Sequence, residues 1–220
     1  MSEAGWDRAR WLWWLALLGG ISFFVAVLQR LDGPAIWAWK TSGVGLLAVW
    51  AAANARERNG WLIAAVLGFG ALGDWLLDAK GLIAGASAFA VGHIIAITLY
   101  LMNRRAQMTP SQRLLGWLTM PATLAIVWGM LSPQPGWWHA AVYSLFVAAM
   151  AAAAWTSRFP RYRTGIGAMM FLASDLFIFA GEGAVLSKDV TMWLVWPLYF
   201  GGQALIAWGV VSTLAKEAKT

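Results

Sequence analysis

The sequence predicts an all-α integral membrane bundle of eight transmembrane helices with both termini in the cytoplasm. Three observations predict it. Of 220 residues, 60% are hydrophobic and only 12% charged, a balance that a soluble domain cannot keep in solution. The apolar residues gather into eight runs, each approaching or exceeding the roughly 17–25 residues of a spanning helix. The basic residues then alternate between the two ends of those runs. With eight spans, Arg8, Arg10, Arg56, Arg58, Arg104, Arg105, Arg113, Arg158, Arg161, Arg163, Lys216 and Lys219 share one side, 12 of the 16 Lys and Arg. Arg30, Lys40, Lys80 and Lys188 fall on the other. An excess of Lys and Arg marks cytoplasmic loops, and one span more or fewer would scramble the asymmetry. The same positions account for the net charge of +6 without a nucleic-acid partner.

In chain order, the first run covers 11–28. It follows Arg8 and Arg10, is too long for a signal-peptide core and is followed by no small-x-small cleavage site, so it reads as a retained helix. The second, 36–53, opens on Trp37, Trp39 and Lys40. The third, 61–77, carries Gly68-x-Gly70 and one charge, Asp74, with Asp78 just beyond it. The fourth, 82–101, carries His93. The connection 102–113, with Arg104, Arg105 and Pro110, is the longest and belongs on the cytoplasmic surface. The fifth run, 114–131, contains Pro121, and an uncharged turn over 132–136 leads to the sixth, 137–155. The seventh, 165–180, is the shortest and carries Asp175. The eighth, 192–214, contains Pro197, Tyr199 and Gln203. Residues 1–220 thus read as one transmembrane domain. Trp11, Trp13, Trp14, Trp37, Trp39, Trp137, Trp138, Trp193 and Trp196 cluster at run ends, as interfacial anchors do. Small residues inside the runs, such as 148–154, suit close helix packing in lipid.

A carboxylate at membrane depth is expensive and is functional by default. Depth follows from the cytoplasmic basic residues at about 1.5 Å per residue. Asp74, 16 residues after Arg58, and Lys40, 16 before Arg56, both lie ~24 Å up. Asp175 and His93 lie at ~18 and ~16 Å, and Tyr143 and Gln203 at ~22 and ~20 Å. Six polar groups from six spans therefore share one slab of a core about 30 Å thick. Asp78 shares a face with Asp74 and Tyr199 with Gln203, each pair being i,i+4. His139 pairs with Tyr143 in the same way, and Glu182 with Asp175 at i,i+7. With these faces inward, the bundle encloses a polar cavity that opens outward. Gly73-Asp74-Trp75 and Ser174-Asp175-Leu176 also echo each other four spans apart.

The ordinary alternatives are definite. Lys40 near a helix end snorkels to the interface; Asp78, Glu182 and His139 near outer ends are solvated; Tyr143, Tyr199 and Gln203 bond between helices; a lone His93 packs. Asp74 and Asp175 in mid-span have no such account. Two carboxylates in a partly dry pocket can divide acid and base roles, with Lys40 keeping Asp74 ionised. There is no cysteine, hence no disulfide and no thiolate site, and no Gly-x-Ser-x-Gly elbow. Two histidines are too few for a three-His zinc site, although His93, Asp74 and Asp175 form a conceivable ligand set. Acid–base hydrolysis with no metal or cofactor is the simplest reading.

Several segments, in order, resemble one family. They are Trp39-Lys40-Thr41; Leu72-Gly73-Asp74-Trp75-Leu76-Leu77; Gly85 through Phe89 to Gly92-His93; Tyr143; Gly167-Ala168 through Phe171 to Ser174-Asp175; and Tyr199-Phe200-Gly201-Gly202-Gln203. Together, over residues 39–203, they resemble the YhhN-type lysoplasmalogenase family, with Thr41 where that family usually has Pro. The resemblance implies an eight-span hydrolase of a bacterial inner membrane. It would cleave the vinyl-ether bond of lysoplasmalogens to a fatty aldehyde and glycerophosphoethanolamine or glycerophosphocholine. The substrate would be a lysophospholipid met within membrane lipid. Asp74 and Asp175 would be acid and base, with His93 orienting water or the ether oxygen. Lys40, Tyr143, Tyr199, Gln203 and Asp78 would line the substrate site.

Two other classes use the same residues. A proton-coupled transporter would use the Asp and His as a relay, though paired Gly/Pro helix breaks are not evident. A non-catalytic lipid-binding protein would keep them for stability alone.

Overall fold

The computed structural model describes residues 7–132 and 134–218; Lys219 in the basic tally and Pro133 in the outer turn lie outside the described residues. Among the described residues the chain forms eight α-helices. They are α1 (Arg10–Leu28), α2 (Pro34–Asn54), α3 (Arg58–Lys80), α4 (Leu82–Met102), α5 (Pro110–Leu131), α6 (Trp137–Thr156), α7 (Ile166–Glu182) and α8 (Lys188–Glu217). A five-residue π-turn, Arg161–Gly165, leads into α7, which extends the shortest expected run at both ends.

Helix ends follow from local chemistry. Pro34 starts α2, where its missing N–H is no loss. Thr109 caps α5 through a reciprocal box with Gln112, with Pro110 at the first position. Ser187 accepts from the Val190 N–H at the start of α8. One residue, Gly81, turns the chain from α3 into α4 with φ +90°, a conformation that a side chain would strain.

Consecutive helices pack as antiparallel neighbours except α4 and α5, α4 lying against α6 instead, and α8 returns against α1, α2 and α3 to close the bundle. The α7–α8 crossing is tight. A Cβ on Gly167 would lie 2.6 Å from the Gly202 carbonyl oxygen, and one on Gly202 would lie 2.6 Å from that of Gly167. Only glycine permits so close an approach, and it sets how α8 presents Tyr199 to the interior.

Seven of the eight helices are long and apolar enough to cross a membrane. The chain is a multi-pass integral membrane protein. The exception is α2. Its 21 residues are long enough, but Lys40, Thr41, Ser42 and Asn54 lower its mean hydropathy. On the basic face, polar contacts link the helix ends. The Arg8 N–H donates to Asn54 at 2.8 Å, Asn103 joins Asn59 and Arg158, and Arg158 pairs with Glu217.

The tryptophans divide. Trp11, Trp14, Trp138 and Trp193 are exposed on the outside of the bundle, but Trp13 and Trp196 are buried. Trp13 lies against Trp50 and Trp208 with ring centroids 4.8 Å away from each. Trp196 donates to the Gly20 carbonyl at 2.8 Å. These two hold α1 to its neighbours instead of anchoring at an interface.

Candidate functional site: two buried aspartates under tyrosine hydroxyls

Helix α3 turns Asp74 into the bundle, where it is 2% exposed. Tyr199, from α8, donates its hydroxyl to Asp74 Oδ2 at 2.9 Å. Gln203, one turn on from Tyr199, lies against Gly70. A Cβ there would come within 2.7 Å of the Gln203 Nε2, so Gly70 makes room for this amide.

The second aspartate has a parallel arrangement. Asp175 on α7 is 6% exposed and accepts the Tyr143 hydroxyl, from α6, at 2.8 Å. On its other side the Tyr143 oxygen lies 3.3 Å from Nε2 of His93 on α4. When the phenol donates to Asp175, its oxygen can accept from His93 in the tautomer whose hydrogen is on Nε2. His93, Tyr143 and Asp175 therefore form one chain across three helices.

Aromatic rings join the two clusters and exclude solvent. Phe171, one turn before Asp175, meets Tyr199 edge-on at 5.1 Å and His93 at 5.0 Å. Phe89 packs against Phe171 at 6.0 Å and Tyr199 at 5.8 Å. Its ring sits over Gly73, where a Cβ would be 2.7 Å away. Sequence reading passed over Phe89 and Phe171 as site residues because phenylalanine is unremarkable in an apolar span. Their spacing of four residues from His93 and from Asp175 was the available signal.

Two expectations need correction. The ion pair of Lys40 is with Asp78 and not with Asp74, which still feels its charge. The Lys40 Nζ binds both oxygens of Asp78, at 2.8 and 2.9 Å, one turn farther out. The depth estimate ranks Cα atoms, whereas a lysine ammonium stands at the end of a long stem that reaches outward. Asp78 is accordingly a half-buried partner and not a solvated end. The second correction concerns the cavity. The pocket that opens outward, about 390 Å³, reaches Lys40 and Asp78 but not the mid-span aspartates. Arg30, Asp32 and Trp37 stand on its rim, with Phe23, Trp196 and Met192 among its walls. Trp196 also touches Tyr199, with centroids 5.6 Å apart, so the pocket ends one side chain short of the Asp74 cluster.

His139 and Glu182 are exposed and outside the clusters. His139 lies 3.0 Å from the Gly136 carbonyl, and Glu182 pairs with Lys188 at 3.4 Å. Among the described residues no three His, Asp or Glu converge on one point. His93, Asp74 and Asp175 are held apart by their tyrosines and do not form the conceivable ligand set. A groove of about 590 Å³ between α1, α7 and α8 has Arg10 as its one charged lining residue and touches none of these clusters.

An all-helical bundle with two buried aspartates, each held by a tyrosine from a neighbouring helix, defines a multi-pass membrane protein with carboxyl groups in its interior. The chain belongs to the YhhN family, whose model matches residues 35–210. It is similar to a protein named lysoplasmalogenase in Mycobacterium bovis, 31% identical over 214 residues, covering 89% of this chain and 80% of that protein. The same figures hold for a lysoplasmalogenase of Mycobacterium tuberculosis. No solved structure matches the chain.

Proposed function

We propose that this protein is a membrane hydrolase that cleaves the vinyl-ether bond of lysoplasmalogens, releasing a fatty aldehyde and a glycerophospho-alcohol. The observation that carries the reading is the pair of buried carboxyl groups, Asp74 and Asp175, each under a tyrosine hydroxyl and joined through Phe171. The name of the mycobacterial relatives, lysoplasmalogenase, supports the substrate class.

The chemistry needs what the site offers. An enol ether hydrolyses when an acid protonates its β-carbon. The resulting oxocarbenium ion is captured by water, and the hemiacetal collapses. One carboxyl as proton donor and one carboxylate as base and cation stabiliser suffice, as in glycosidases. Asp74 and Asp175 take these roles, with Tyr199 and Tyr143 holding them in place. His93, through Tyr143, gives Asp175 a route for its proton. The outward pocket is suited to the headgroup, with the phosphate facing Lys40 and Arg30 and the glycerol toward Tyr199. Phe23, Met192 and Trp196 supply the apolar wall.

The same proposal includes topology. All eight helices of this single domain span, α2 being tolerated because Lys40 is neutralised by Asp78 and faces the pocket. The basic face lies in the cytoplasm with both termini, and the membrane is a bacterial inner membrane.

The test is aldehyde release from lysoplasmenyl-ethanolamine by pure protein in detergent. Turnover that is lost in Asp74→Asn or Asp175→Asn supports the reading; full activity in both variants sinks the assignment.

A further inference from the structure

The proposed mechanism uses Nε2 of His93 and leaves the source of water open. A second, smaller cavity lies on the far side of the aspartates from the Lys40–Asp78 pocket. Gly70 on its wall is one turn before Asp74, Phe171 one turn before Asp175, and Gln203 one turn after Tyr199 on the antiparallel α8. Three helices thus place it one turn beneath the site. The volume open to the centre of a water is about 10 Å³, which is close to what one water requires.

Its wall is mostly apolar but carries three polar side chains. His93, Tyr100 and Gln203 line it, with Ala96 and Met150. Tyr100 is 1% exposed, and its hydroxyl finds no hydrogen-bond partner among the described residues. A hydroxyl buried without a partner is unfavourable, and a lone buried water is stable when two to four polar groups hold it. His93 offers Nδ1, the nitrogen that Tyr143 does not hold.

We propose that this cavity holds one ordered water, bound by the Tyr100 hydroxyl, His93 Nδ1 and the Gln203 amide, and that this is the water hydrolysis consumes. The second half rests on the function proposed above. Overall, R–CH=CH–O–R′ and H₂O give R–CH₂–CHO and HO–R′. The carboxyl proton of Asp175 goes to the β-carbon, and the water oxygen bonds to the α-carbon. Ionised Asp74 stabilises the cation. The proton that water gives up enters His93 at Nδ1, the Nε2 proton moves to Tyr143, and the phenol proton returns to Asp175. His93 then regains its Nε2–H tautomer by proton exchange with the replacement water before the next turnover. The hemiacetal C–O bond then breaks, with the hydroxyl proton transferred to the departing glycerol oxygen. Tyr100 is a positioning residue in this scheme, and Asp175 is the acid.

Hydroxyl-radical footprinting of the purified protein tests the water directly, because radicals form from water held beside a buried side chain. Met150 and Tyr100 should oxidise far faster than buried residues away from the cavity, such as Trp50, and an Ala96→Val variant that fills the space should slow both. Tyr100→Phe should keep its melting temperature and KM but lose ~10²-fold in kcat, and Ala96→Val should lose kcat in the same way. Slow labelling in the wild-type protein overturns the water site whatever the activity. Rapid labelling with wild-type kcat in both variants overturns its catalytic role. Rapid labelling in a protein that releases no aldehyde keeps the water and overturns both its role and the proposed function.

Discussion

Tyr143 donates its hydroxyl to Asp175 at 2.8 Å while its oxygen lies 3.3 Å from His93 Nε2. A single phenol therefore stands between an imidazole and a buried carboxylate from different helices. Residues that act as one unit lose activity together and not additively. Tyr143→Phe and His93→Ala should each lower kcat for aldehyde release by ~10²-fold or more. The double variant should be no slower than the worse single. Multiplied losses in steady-state assays would mean that the three do not work as one chain.

Lys40 and Asp78 form a half-buried ion pair, with side chains 14% and 24% exposed. Removing one partner leaves a charge in a poor environment. Lys40→Ala should destabilise the protein by about 1–3 kcal/mol, below the range for fully buried pairs. Lys40→Met with Asp78→Leu should recover most of it. Thermal unfolding in detergent measures both, and the cycle isolates the pair.

The α7–α8 crossing admits no side chain at Gly167 or Gly202. Gly202→Val should lower stability by about 1–3 kcal/mol as the helices move apart. Because Tyr199 rides on α8, aldehyde release should fall as well. A variant with unchanged melting and activity would contradict the close approach.

Asp32 in the α1–α2 loop accepts from the Trp37 indole at 2.6 Å and from the Gly33 N–H at 2.7 Å. These bonds, the indole's first, hold its carboxyl below the ordinary value of 3.8. A depressed carboxyl contributes fully above the unfolded value and loses that contribution as pH falls through the lowered folded value. The ¹⁹F signal of 5-fluorotryptophan at Trp37 should therefore stay constant down to about pH 4 and shift only below it. In Asp32→Asn the profile should be flat.

The chain has no cysteine, which makes single-cysteine labelling clean. On the eight-span topology, Asp32→Cys and Gln134→Cys should react with an impermeant maleimide added outside intact cells. Arg56→Cys and Arg105→Cys should react only after lysis. If Asp32→Cys and Arg56→Cys label from the same side, α2 does not span.

Much of this was legible in the chain. Hydropathy and the Lys/Arg pattern are properties of consecutive residues, and the eight helices fall where the eight apolar runs do. Asp74, Asp175, His93, Tyr143 and Gln203, which the two clusters and the cavity beneath them contain, are five of the six residues the depth estimate brought into one slab; the sixth, Lys40, pairs with Asp78 instead. Rise per residue is the same in every helix, so height could be counted from a basic anchor.

Sequence alone therefore determined a helical membrane bundle and the level of its polar groups. Tertiary structure decided who meets whom. It gave Tyr199 to Asp74, Tyr143 to both Asp175 and His93, and Lys40 to Asp78. It also sealed the aspartates under Phe89 and Phe171 and turned Tyr100 toward a cavity. Those choices depend on how each helix rotates about its axis and how closely it approaches its neighbours. Contacts such as Gly167 on Gly202, 35 residues apart in sequence, set both, and no local pattern of residues records them.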